Sequence, residues 1–170
     1  MIKHTEIKLL TLGRDTPNVN NISTNMFTLK LLNSYPSLPT PDEKNIVRGV
    51  FPPKQHDVVE IFNLYSSKQW TALDELFFLS SGAIQTSLPY LTACAFFYYL
   101  PAVIRFTTGP SFDETSAIMI DHLIEIEKTI LEDNDSDYKK EFLKLTHEQR
   151  ITFEDFMRYI KTNPKKFFLN

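Results

Sequence analysis

Cysteine is nearly missing from this chain: Cys94 is the only one in 170 residues. No disulfide can form within the chain, which fits a reducing compartment. Glycine is scarce as well, at four residues. An all-β fold built on many tight turns is therefore disfavoured, because such turns draw on residues that take positive φ cheaply. Clustered Lys and Arg are lacking. The formal net charge is −3 and the isoelectric point about 5.8. That balance argues against general nucleic-acid binding, whose affinity comes from neutralising phosphates. The opening residues, Met1-Ile2-Lys3-His4-Thr5-Glu6-Ile7-Lys8, contain no continuous apolar run. No secretion signal is read there, and a cytoplasmic protein is expected. Also missing are a phosphate-cradling glycine loop and a nucleophile elbow.

An uninterrupted apolar span is missing too. Leu76 to Ile104 carries no Asp, Glu, Lys, Arg or His, but Ser80-Ser81-Gly82, Gln85-Thr86-Ser87, Pro89 and Pro101 interrupt it. A membrane-crossing helix needs about 20 predominantly apolar residues. The part that remains, Leu88 to Ile104, reads as a buried core helix, and no membrane association is expected.

What is abundant is aromatic carbon. Fourteen Phe raise the aromatic share to 13%. A chain of this length can enclose one core without staples, and large rings bury much area each. The helical periodicity is plain in several places. Val58, Ile61, Phe62 and Tyr65 fall at i, i+3, i+4 and i+7, which predicts a helix over His56 to Tyr65. Trp70 to Leu79 predicts another, with Leu73, Leu76 and Phe77 inward. Ser80 to Pro89 reads as a loop. Thr92 can cap a helix running to about Phe106, kinked or split at Pro101, which removes a backbone donor. Ser111 and Glu114 are spaced as a capping box. The helix they open extends to Leu131, with Met119, Leu123, Ile126 and Ile130 on one face, widened by Ile120, Ile124 and Leu131. Asp133 to Asp137 is a polar turn and Tyr138 to Leu145 a short helix. Thr146 and Gln149 form a second capping box, opening a helix with Phe153, Phe156, Met157 and Ile160 inward, ended by Asn163-Pro164.

Earlier in the chain, Thr40-Pro41 reads as N-cap and first residue of a helix reaching Val50, stopped by Pro52-Pro53. Met26 to Leu32 reads as a short helix and Glu6 to Leu12 as a short strand. The sum is an all-α, single-domain bundle of about seven helices over residues 41–170, with residues 1–40 packed on it or extending it.

Chemistry-bearing constellations are thin. Asp133-Asn134-Asp135-Ser136-Asp137 alternates oxygen ligands as a calcium loop does. The sixth position should be Gly and is Tyr138, the twelfth should be Glu and is Lys144, so a solvated turn is expected. His56 and Glu60 lie one turn apart without a third ligand, and His4, His122 and His147 stand alone; neither a metal nor a cofactor is expected. Cys94, between Ala93 and Ala95, is expected to be buried as a small hydrophobe. No catalytic residue can be named. The run Phe96-Phe97-Tyr98-Tyr99 covers every side of a helix. It reads as a central helix packed all round, with the alternative that Tyr98 or Tyr99 anchors a partner.

The charge distribution is the most informative feature. Between Asp113 and Asp137 stand nine acids and one base, Lys128, in a chain whose total is only −3. A charge run is ordinarily a solvated face. Here Asp121, Glu125 and Glu132 share one stripe, and Asp133, Asp135 and Asp137 crowd the next turn. A focused field of that kind speeds encounter with a basic partner.

Four elements together resemble an uncharacterised bacterial domain family. They are Ile46 to Phe51, Trp70 to Leu73, Phe96-Phe97-Tyr98-Tyr99-Leu100-Pro101-Ala102 and Leu145-Thr146-His147-Glu148-Gln149-Arg150. The likeness spans about residues 41–161. It implies bacterial origin and a helical fold, and supplies no activity and no site residues. The expectation from the charge pattern is a non-enzymatic binding protein, such as an immunity protein that neutralises a basic toxin domain. Asp121, Glu125, Glu132, Asp133, Asp135 and Asp137 would make the contact. The alternative is an enzyme or small-molecule binder with a pocket near Pro101, using Tyr98, Tyr99 and Arg105.

Overall fold

The computed structural model describes residues 27, 30, 31, 33–35, 40–113 and 116–167. Among these residues there are seven α-helices and no strand. They are α1 (His56–Tyr65), α2 (Glu75–Leu79), α3 (Gly82–Gln85), α4 (Ala93–Thr108), α5 (Ile118–Glu132), α6 (Asp137–Lys144) and α7 (His147–Thr162). Single 3₁₀ turns stand at Glu43–Asn45, Trp70–Ala72 and Leu88–Tyr90. The fold is all-α, as the periodicity predicts. Glu6 to Leu12 lies outside the described residues.

The centre is α4. Thr92 caps it by accepting the Ala95 amide at 3.1 Å, and Pro101 stands inside it without splitting it. Fourteen of its 16 residues are buried; the two that are not are Cys94 and Arg105. Eleven residues make just over three helical turns, so these two fall on one narrow stripe. The rest of the helix is walled in. Phe96 meets Tyr138 edge-on at 5.5 Å, Phe97 meets Phe153 at 6.1 Å, and Phe106 stacks on Phe78 at 4.7 Å. Edge-to-face rings add roughly 0.5–1.5 kcal/mol beyond the area they bury.

Around this rod, α5 packs Met119, Ile120, Leu123, Ile126 and Ile130 inward. α7 does the same with Phe153, Phe156, Met157 and Ile160, behind the Thr146–Gln149 capping box with both reciprocal bonds made. Phe27, Leu31 and Tyr35 are buried, and Phe27 contacts Phe156 and Tyr159 at 6.0 and 5.4 Å. Lys30 pairs with Asp155, and this hydrogen bond holds the carboxyl below its usual range. Phe27, Leu31 and Tyr35 therefore belong to the same core as the rest.

Several local expectations fail, each for a visible reason. The helix expected over 41–50 is one 3₁₀ turn capped by Asp42. Its continuation pairs elsewhere: Val47 bridges Leu91 in antiparallel fashion, Arg48 N–H donates to Tyr90 O at 2.8 Å, and Thr92 N–H donates to Ile46 O at 3.0 Å. Gly49 then takes a φ of +100°, which ends any helix there. The helix expected over 70–79 is broken at Leu73. Asp74 recaps it by accepting the Phe77 amide at 2.9 Å, which rotates the register. Phe78 is buried, whereas Leu76 is 75% exposed. The loop expected over 80–89 contains α3, capped by Ser81. α5 starts at Ile118 without a side-chain cap, not at Ser111; Glu114, the other half of the expected capping box, lies outside the described residues. Asp113 shapes the entry instead, accepting the Ser116 amide and hydroxyl at 3.2 and 3.1 Å. Leu131, expected inward, is 67% exposed.

Candidate functional site

Along α5 the 3.6-residue repeat puts Asp121, Glu125, Lys128 and Glu132 on the face opposite the core. All four are exposed. The stripe runs about 16 Å at 1.5 Å per residue. Beyond it the chain turns through Asp133, Asp135 and Asp137, also exposed. The turn is built from its own side chains. Asp133 Oδ1 accepts the Asp135 amide at 2.9 Å, the Ser136 hydroxyl donates to Asp133 O at 2.9 Å, and Ser136 Oγ accepts the Lys139 amide to cap α6. These bonds hold three carboxylates at one corner of the molecule, next to the end of the α5 stripe.

Most of these charges are uncompensated. Among the described residues, Asp121, Glu125, Glu132, Asp133 and Asp135 form no ion pair; Asp137 has Lys140 at 3.8 Å. The contrast with neighbouring acids is direct. Glu127 pairs with Lys161 at 2.7 Å, and Glu141 with Lys144 at 2.6 Å. Glu127, one of the nine acids in the run, therefore does not belong to the outward face. Glu132 and Asp133 also stand at the C-terminal end of α5, where no base occupies the last turn. The helix dipole disfavours negative charge there by about 0.3–1 kcal/mol each. His122 lies beside the stripe, half-buried. Burial pushes its imidazole below the ordinary range, while Asp121 pulls it back up.

Of the acidic corner, Asp137 lines a groove of about 500 Å³ that also takes in Thr129 and Ser136. Lys44 and Arg48 line the same groove. Arg48 is held in place: its Nε donates to Leu91 O at 2.9 Å, and its guanidinium lies 4.8 Å over the Tyr138 ring. Burial raises the Tyr138 hydroxyl, with the Arg48 charge opposing. The sequence run does not disclose these cations, because they arrive from the segment that pairs with Leu91.

The three polar groups expected around Pro101 do not share a cavity. Tyr99 is wholly buried and donates to Tyr65 O at 2.8 Å and Lys68 O at 3.2 Å. Arg105 Nη2 donates to Leu73 O at 2.8 Å and lines a small cavity of about 220 Å³ with Asp74 and Glu75. Tyr98 lines a different groove, together with Cys94. The aromatic run 96–99 is buried throughout, as the central-helix reading predicts. Cys94 is the correction: it is exposed. Arg105, eleven residues on, carries the only charge of α4 and marks the same outward stripe, so the signal for Cys94 was in the sequence. Partial burial raises the thiol, then Glu141 does, while Lys144 lowers it.

Among the described residues no three His, Cys, Asp or Glu side chains gather to hold a metal ion. No helix there is long and apolar enough to cross a membrane. Comparison with known proteins returns no match: no family model, no curated protein and no solved structure is similar to this chain.

Proposed function

We propose that this chain is a non-enzymatic protein-binding domain whose acidic corner engages a basic protein partner, in the manner of an immunity protein neutralising a toxin. The observation that carries the reading is the set of five exposed carboxylates without ion pairs among the described residues, two of them kept where the helix dipole disfavours them. Glu127, Glu141 and Asp155 are each paired with a Lys, whereas among the described residues these five have no ion pair. Exposed charge of one sign, held by a rigid helix and a self-bonded turn, suits fast docking with a cationic surface. A nuclease toxin offers such a surface, because its groove must attract phosphates.

Lys44 and Arg48 in the neighbouring groove would orient the partner, since an acidic side chain on it would find them beside the corner. The test is kinetic. Reversing Asp121, Glu125 and Glu132 together should lower the association rate with the captured partner at least tenfold at low salt and flatten its salt dependence, with little change in dissociation. An association rate that the triple reversal leaves unchanged would move the interface away from α5.

A further inference from the structure

The acidic corner has a basic neighbour on the same surface. Residues 44–56 contain no Asp or Glu but hold Lys44, Arg48 and Lys54. Lys44 is paired with Asp42 at 3.4 Å. Arg48 and Lys54 are exposed and form no ion pair among the described residues. Between these two cations the chain makes a finger, residues 49–53. Its root is fixed, because Arg48 N–H donates to Tyr90 O at 2.8 Å. Pro52 and Pro53 stiffen its end by fixing φ. On the finger Val50 is 79% exposed and Phe51 46%. Finger and acidic turn adjoin: Arg48 and Gly49 line the groove of about 500 Å³ together with Ser136 and Asp137. The acidic side also shows carbon, since Leu131, beside Glu132 in the last turn of α5, is 67% exposed.

We infer that two copies of this chain associate across a two-fold axis, with the 48–54 finger of each on the 132–135 turn of the other. A two-fold axis exchanges the two patches, so a face that carries both signs side by side is complementary to itself. Each unpaired cation then meets unpaired carboxylates, and Val50 and Leu131 lose their exposure to water. The same adjacency disfavours other occupants of the finger. An anionic lipid surface or a uniformly acidic protein meets the acidic turn as well and is repelled by it. Contact between small, charge-led patches is weak and transient, so a strongly basic partner displaces the second copy. The inference shares the acidic turn with the proposed function, but its test needs only the purified chain, so either can fail without the other.

The test is sedimentation velocity on the full chain at low salt, up to roughly 1 mM protein, where even weak association registers. A monomer–dimer equilibrium should appear and should vanish in about 1 M salt, where charges reach only about 3 Å. Reversing the finger (Arg48→Glu with Lys54→Glu) should weaken dimerisation roughly tenfold or more, and so should reversing the turn (Glu132→Lys with Asp135→Lys). An equimolar mixture of the two reversed chains should pair again, because both contacts then join opposite charges. Val50→Asp with Lys54→Glu repeats the finger test while leaving the Arg48 bond to Leu91 O intact, and should weaken association as well. A native chain that stays monomeric, or reversed chains whose mixture does not pair, would overturn the inference. Binding of a monomeric native chain to phosphatidylserine vesicles, lost in Val50→Asp, would also overturn it and give the finger to a membrane.

Discussion

Replacing Glu132 by Lys tests whether the acidic corner is kept at a cost to stability. Glu132 is the last residue of α5, exposed, with no ion pair among the described residues. Its carboxylate therefore faces the negative end of the helix dipole with nothing to offset it. Removing that charge should gain about 0.3–1 kcal/mol, and a positive charge in its place should gain about as much again. The variant should thus be more stable by about 0.6–2 kcal/mol. For a chain of this size that corresponds to a midpoint rise of about 1–8 °C. Adding Asp133→Asn should extend the gain without breaking the turn, because the amide oxygen can still accept the Asp135 N–H. Urea unfolding and thermal melts at low salt read the effect. The same melts in about 1 M salt should show most of it gone, since exposed charges are screened beyond about 3 Å there. A loss of stability in Glu132→Lys, or a gain that ignores salt, would refute the reasoning. It would mean that Glu132 serves the fold and is not spare.

Three further outcomes follow from the packing and titration. Tyr99→Phe should cost about 0.5–1.5 kcal/mol in urea unfolding, because Lys68 O loses this donor and Tyr65 O is left with the Lys68 amide. Phe78→Ala should cost about 3–5 kcal/mol, whereas Leu76→Ala should stay within about 0.5 kcal/mol; equal costs would contradict the register that Asp74 sets. His122 has a folded pKa below its unfolded value of 6.5. Its neutral form therefore contributes stability that is fully present above pH 6.5 and is lost as pH falls through the folded pKa. His122→Asn should flatten the stability profile below about pH 6.5, and an unaltered profile would assign the acid lability to other groups.

How much of this was legible depends on how local each cause is. The α7 start was readable because Thr146 and Gln149 bond to each other's backbone within one turn. The core stripes of α1, α5 and α7 were readable because burial follows the 3.6 period. The helix expected over 41–50 was not refuted by any neighbour in sequence. It lost to pairing with the segment around Thr92, whose hydroxyl bonds Asn45 O across 47 residues. Leu76 was misplaced because one capping side chain, Asp74, restarts the helix in a new register. The acids of the candidate site were visible as a run, and so was their stripe. That Lys161 withdraws Glu127 from the face, and that Lys44 and Arg48 close the groove beside it, follows only from tertiary contacts.

The most direct test of the acidic-corner reading is capture from native lysate by the tagged chain, compared with its Asp121, Glu125, Glu132 triple reversal, at low and at high salt. The account predicts one stoichiometric basic protein, held by the native chain at low salt, released as salt rises, and missing from the reversed variant. A partner held equally by both chains at both salts would contradict it.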